Sequence, residues 1–174
     1  FRSHLDGKPL RLTPESAMEI QRKLGPDIVM PLDVCTSFGA TRDEVAAAVE
    51  QTHEWAKRCK AAHEGNDKQA LYGIVQGGVF LDLRERSIEQ LRALNFFGYS
   101  IGGELQEAGE GKKIAEVVPK VATQLPEDKP RYLMGYGMPE DIVEAVRGGV
   151  DQFDCVLPVR NARHGQVMEQ LNVD

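Results

Sequence analysis

Five short apolar runs, each followed by a segment of helical spacing, succeed one another along the chain, and this alternation restricts the fold more than any other feature. The runs cover residues 27–32, 70–75, 98–101, 131–134 and 152–157. They read as nearly continuous apolar stretches rather than alternating ones, which suits strands of a parallel sheet buried on both faces. The helical segments carry their own start and stop signals. Thr13-Pro14-Glu15-Ser16 supplies a Thr cap, a first-turn Pro and an acid, and Gly25-Pro26 ends the segment. Thr41-Arg42-Asp43-Glu44 is a capping box opening a long helix through Val45, Val49, Thr52, Trp55 and Ala56, closed near Gly65-Asn66-Asp67. Residues 81–94, 111–123 and 138–147 complete the set.

Five successive β-α units mean an α/β fold, and both a doubly wound sheet and a (β/α)₈ barrel accommodate them. The placement of unusual residues separates the two. Asp33, Gln76-Gly77-Gly78, Gly102-Gly103, Gly135-Tyr136-Gly137 and the residues after Asp154 all fall at strand C-terminal ends. Chemistry spread over the ends of many strands belongs to a barrel, whereas an open sheet concentrates it in one crevice. A whole barrel takes roughly 250 residues; with 174 residues, the chain is expected to form one incomplete barrel domain and to be part of a longer protein.

Composition narrows the class. Hydrophobic residues make up 41 %, recurring in every stretch, which excludes wholesale disorder. No run of apolar residues is long enough to cross a membrane as a helix. With 21 basic and 27 acidic side chains the net charge is −6, which disfavours indiscriminate coating of nucleic acid but permits a local basic patch. Cys35, Cys59 and Cys155 cannot all pair with one another and form no C-x-x-C, so a reducing, cytoplasmic setting is expected.

Several residues stand out chemically. Asp33 follows an apolar run, where a carboxylate loses hydration and needs a donor; by itself it reads by default as a cap or a loop ion pair. Asp154 falls inside the run 152–157, where a core strand has no use for a charge. Gln76 ahead of Gly77-Gly78 offers an amide where backbone can approach a planar ligand, and Gly102-Gly103 offers bare N–H groups. Together these form a donor and acceptor edge suited to a heterocyclic base, although two carboxylates also fit a glycosidase-like or divalent-metal site. Arg160, Arg163 and His164 form a small basic cluster beyond Asp154, either phosphate-binding or a solvated loop. His53, Cys59 and His63 share one helix without a third-element ligand and read as packing or surface residues.

The segments Phe153-Asp154-Cys155-Val156-Leu157-Pro158, Arg131-Tyr132-Leu133-Met134-Gly135, Gly73-Ile74-Val75-Gln76-Gly77-Gly78 and Phe1-Arg2-Ser3-His4-Leu5-Asp6-Gly7 resemble the signature segments of tRNA-guanine transglycosylases, as does Leu12-Thr13-Pro14-Glu15-Ser16 leading to Ile20-Gln21. The resemblance runs in order from Phe1 to about Gly165. It implies a (β/α)₈ barrel with a zinc subdomain, exchange of the base at the tRNA anticodon wobble position for a 7-deazaguanine, and a homodimer of the full-length protein. By motif, Asp154 would be the nucleophile, and Asp33, Gln76 and the Gly103 backbone would bind the guanine edge. Met134 would pack on the base face, and Arg160 and Arg163 would meet the RNA backbone. Cys35, two residues after Asp33, matches the bacterial branch, whose incoming base is the aminomethyl precursor of queuosine.

The chain also departs from the pattern. The family's general acid/base aspartate is expected upstream of Phe1 and its zinc ligands beyond Asp174, so this chain alone is expected neither to hold zinc nor to catalyse. After Gly102-Gly103 the family has three apolar residues before Gly-Glu-Gly; here Glu104-Leu105-Gln106-Glu107-Ala108 intervenes, and Val159 replaces a Thr. A non-catalytic RNA-binding or subunit-pairing relative, and a relative acting on deazaguanine in DNA, are the competing readings.

Overall fold

A computed structural model describes residues 1–105 and 114–167. Five strands, β1 (Ile28–Val29), β2 (Ala70–Val75), β3 (Gly98–Ile101), β4 (Arg131–Leu133) and β5 (Gln152–Phe153), pair in parallel in the order in which they occur along the chain. The helices are α1 (Pro14–Leu24), α2 (Arg42–His63), α3 (Leu81–Leu94), α4 (Ile114–Ala122), α5 (Pro139–Arg147) and α6 (Leu157–Arg163). A doubly wound sheet reverses its strand order at a switch point. This sheet never reverses, and it curls into part of a TIM-like barrel. No helix among the described residues is long and apolar enough to cross a membrane.

Helix starts follow local chemistry. Thr13 and Thr41 each cap their helix, and Ser16 and Glu44 return the bond to the cap backbone. The helices pack on one face of the sheet. Leu71, Val75, Tyr99, Ile101 and Leu133 share a core with Cys59, Ile88, Leu91, Val117 and Val118, whereas Tyr72, Ile74 and Ser100 are buried outside that cluster, on the opposite face. The period of two along a strand therefore separates a helix-facing row from a barrel-interior row.

Three expectations need correction. The first run forms a ladder only at Ile28 and Val29 instead of 27–32. Gln21 from α1 captures both the N–H and the carbonyl of Met30, at 2.9 and 2.8 Å, Pro31 has no N–H to give, and the Leu32 N–H goes to the Cys59 sulfur at 3.4 Å. The last run stops at Phe153 rather than Leu157, because its partner β4 ends at Leu133 and Pro158 begins a helix. The basic cluster is therefore not a loop: Arg160 and Arg163 stand in the last turn of α6. The expected helix over 111–123 is observed from Ile114; residues 106–113, including most of the unusual segment after Glu104, lie outside the described residues.

Candidate functional site

Strand register assembles the site. Ile74 pairs with Ser100, Ser100 with Tyr132, and Tyr132 with Gln152, forming one row on the interior face. Two residues further along each strand come Gln76, Gly102, Met134 and Asp154, the next row toward the C-terminal ends. Four of the elements singled out in the sequence thus share one layer because parallel pairing puts them in step.

Asp33 reaches this layer by a different route. Val29 faces the helices, so an unbroken alternation would turn Asp33 toward them as well. The break after Val29 resets the alternation: Leu32 packs on the helix-facing core, and the Asp33 carboxylate accepts from Gln76 Nε2 at 2.7 Å. Burial holds the Asp33 carboxyl above the ordinary carboxylate range, opposed by that bond. Cys35 lies close by. Burial raises its thiol, as do the charges of Asp33 and Glu104. A shallow hollow beside Cys35 continues over Thr36, Ser37, Phe38 and Gly39.

Gly102 and Gly103 are glycines for steric reasons. A Cβ at Gly102 would lie 3.0 Å from Gln76 Nε2 and 3.5 Å from Met134 Sδ, in the space between the amide and the thioether. Gly103 has φ +81, and a Cβ there would collide with Gln76 Oε1. The Gln76 amide is buried with its backbone N–H donating to Ser87 Oγ at 3.2 Å, and that hydroxyl also meets His53 Nε2 at 3.1 Å. His53 is thus a packing residue, with burial lowering its pKa. Cys59 likewise donates to the Pro14 carbonyl inside the core.

Sequence reasoning missed Arg84 and Tyr132. Arg84, on α3, is wholly buried and donates from Nε to the Gly78 carbonyl at 2.8 Å and from Nη1 to the carbonyls of Val75 and Gly102 at 2.9 and 2.7 Å. Its only sequence signal is an arginine at a position flanked by Leu83 and Ser87 that the helical period turns inward. Tyr132 OH donates to Asp154 Oδ1 at 2.6 Å, and the Gly135 N–H joins it at 2.8 Å. Burial pushes the Tyr132 phenol up, and its bond to Asp154 adds to the shift. Strand parity gave a signal here, since Tyr132 and Asp154 both belong to interior positions of adjacent strands.

Asp154 itself differs from its expected setting. It is the first residue beyond β5 rather than within it, and it is exposed rather than buried. With one oxygen held by two donors and its surroundings open, it is a fixed, accessible carboxylate at the strand ends. Arg160 and Arg163, exposed and one turn apart, follow on α6.

The described residues do not assemble a ligand set for the zinc implied by the sequence resemblance. Cys59 is committed to the core, Cys155 Sγ accepts from the Leu157 N–H at 3.5 Å, and no group of three or more candidate ligands occurs among the described residues.

The sequence model of the family described as queuine tRNA-ribosyltransferase matches residues 1–173. Proteins carrying that name are similar to this chain: one from Halothermothrix orenii is 54 % identical over 96 % of the chain and 44 % of its own length. Another, from Marinobacter nauticus, is 50 % identical over 99 % of the chain and 46 % of its own length. A third, from Symbiobacterium thermophilum, is 52 % identical over 96 % of the chain and 42 % of its own length. The chain thus spans somewhat under half the length of these relatives, and it belongs to the queuine tRNA-ribosyltransferase family.

Proposed function

We propose that the full protein containing this chain is a tRNA-guanine transglycosylase that replaces the wobble guanine with a 7-deazaguanine through a ribosyl-aspartate intermediate. The observation that carries the reading is the interior row of Gln76, Gly102, Met134 and Asp154 with Asp33 turned onto Gln76, in a chain of this family. A base edge with a carbonyl oxygen flanked by ring N–H and exocyclic amine matches an amide and backbone N–H on one side and a carboxylate on the other. Met134 offers a polarizable contact to the base face.

In this reading an Asp154 oxygen attacks the ribose anomeric carbon as the bond to guanine breaks, and the electron pair leaves with the base. The C–O bond formed is later broken as a ring nitrogen of the incoming base attacks the anomeric carbon, its N–H proton passing to water, and the carboxylate is regenerated. Tyr132 OH and the Gly135 N–H fix Oδ1 and so aim the carboxylate. Arg160 and Arg163 would meet the RNA backbone, and their exposure leaves them available to phosphates. Cys35 is a small neighbour to the base edge and supports the bacterial-type substrate, a base with a compact aminomethyl group. The expected cytoplasmic setting and the dimer of the full protein belong to the same proposal.

Labelled guanine exchange by the full-length protein tests the reading. Incorporation into tRNA but not into DNA is expected. Exchange on DNA alone would favour the DNA-modifying relative, and none on either would favour a non-catalytic partner.

A further inference from the structure

The inference below rests on the base-exchange reading and adds a residue to it. Arg84 is 0 % exposed, yet among the described residues its bonds go to three carbonyls and none to a carboxylate. A cation buried on such terms is costly wherever an apolar side chain would pack. Its acceptors, the carbonyls of Val75, Gly78 and Gly102, belong to the two segments that carry Gln76 and Gly103. One guanidinium nitrogen, Nη2, is buried with no partner among the described residues and lies 3.7 Å from where a Cβ on Gly103 would stand. Closing the backbone around two loops needs donors, which a neutral side chain could supply in part; it does not need a charge with a spare N–H beside Gly103.

The proposed chemistry does. When the bond from the anomeric carbon to the base nitrogen breaks and the Asp154 C–O bond forms, the electron pair stays on the base. The negative charge spreads to its carbonyl oxygen, which Gln76 and the Gly103 N–H would face, and water protonates the base after release. We propose that Arg84 is a positioning residue that holds the Gln76–Gly103 edge in place and, through its charge, stabilises the departing base anion. Burial draws its guanidinium down to about 10, which leaves it cationic at neutral pH, and its field lowers the Cys35 thiol and the Tyr136 phenol against their burial.

Two variants of the full-length protein separate charge from packing: Arg84→Met keeps the bulk, and Arg84→Lys keeps the charge while losing the fork. Guanine exchange on tRNA is measured beside the thermal unfolding midpoint. Arg84→Met should lose about 100-fold in kcat while the guanine KM rises less than about fivefold, and Arg84→Lys should recover about tenfold of the lost kcat. A loss carried mainly by KM, or equal losses in both variants, would make Arg84 a clamp only and overturn the inference. Should Arg84→Met show no cooperative unfolding, Arg84→Lys decides: a kcat within about tenfold of wild type at near-normal KM supports the assignment, and a fall of about 100-fold or a loss carried mainly by KM overturns it. A wild-type protein without exchange activity removes the functional reading itself, a failure distinct from active wild type whose Arg84→Lys loses mainly in KM.

Discussion

The ends of β2 and β3 and the ends of β4 and β5 belong to one sheet, yet they are built in opposite ways. At the first pair, Gln76, Ser87, His53 and Arg84 are buried and bonded to one another or to strand carbonyls. At the second, Asp154, Arg160 and Arg163 are exposed, and Asp154 accepts from Tyr132 OH and the Gly135 N–H. Recognition of a small planar base requires donors fixed to within tenths of an ångström, which burial provides. Attack on a ribose within a large RNA requires access, which burial would deny. On the proposed function, the rigid end would choose the base and the open end would meet the nucleic acid.

Asp154→Asn in the full-length protein strikes the open end hardest. An amide is nearly isosteric but a poor nucleophile, so base exchange should fall by at least about 1,000-fold while tRNA affinity stays within about twofold. Parallel loss of affinity, measured by filter binding, would make Asp154 part of the docking surface instead.

Asp33→Asn tests the rigid end. A donor would then face the donors of the base, and the guanine KM should rise by about 1–3 kcal/mol, roughly 5- to 150-fold. The same change has a stability signature. The Asp33 carboxyl is raised above its ordinary 3.8 by burial, so the folded state binds more protons than the unfolded one between the two values. Stability contributed at this position is therefore lost as pH rises through that window. Asp33→Asn should raise the thermal midpoint at neutral pH, with the gain vanishing below about pH 4. A midpoint shift independent of pH would show that the carboxylate carries no such strain.

Tyr132→Phe removes one of the two bonds that hold Asp154. With Gly135 still donating, kcat should fall by about 3- to 10-fold at unchanged tRNA affinity. An unaltered kcat would mean that the backbone N–H alone aims the carboxylate. The smallest single effect belongs to Arg160→Ala and Arg163→Ala. Each should flatten the logarithmic salt dependence of tRNA binding by about one unit. If neither slope moves, α6 is not a phosphate contact and the open end meets the RNA elsewhere.

How much of this was legible in the sequence differs between the same two ends. β2, β3, α1, α2 and α3 were readable because unbroken apolar runs and capping boxes are local signals. The residues of the interior row were readable as a set, since glycine pairs and isolated polar groups stand out at strand ends. What escaped depended on partners distant along the chain. Gln21 takes the ladder's place at Met30, and that break is what turns Asp33 inward. Arg84 looks like an ordinary helix charge until the carbonyls of two strands close on it. The end of β5 was misjudged because its length is set by β4, not by its own apolar residues, and Leu157, where a helix starts, was read as the last residue of the strand.

The central claim is that the open end carries the nucleophile. Its most direct measurement is to denature the full-length protein during turnover on tRNA, digest it, and locate the ribosylated peptide by mass spectrometry. The account predicts a ribose-derived mass on the peptide containing Phe153-Asp154-Cys155, placed on Asp154 by fragmentation and absent from Asp154→Asn. A covalent adduct on Asp33 or on any other side chain, or one that persists in Asp154→Asn, would contradict it.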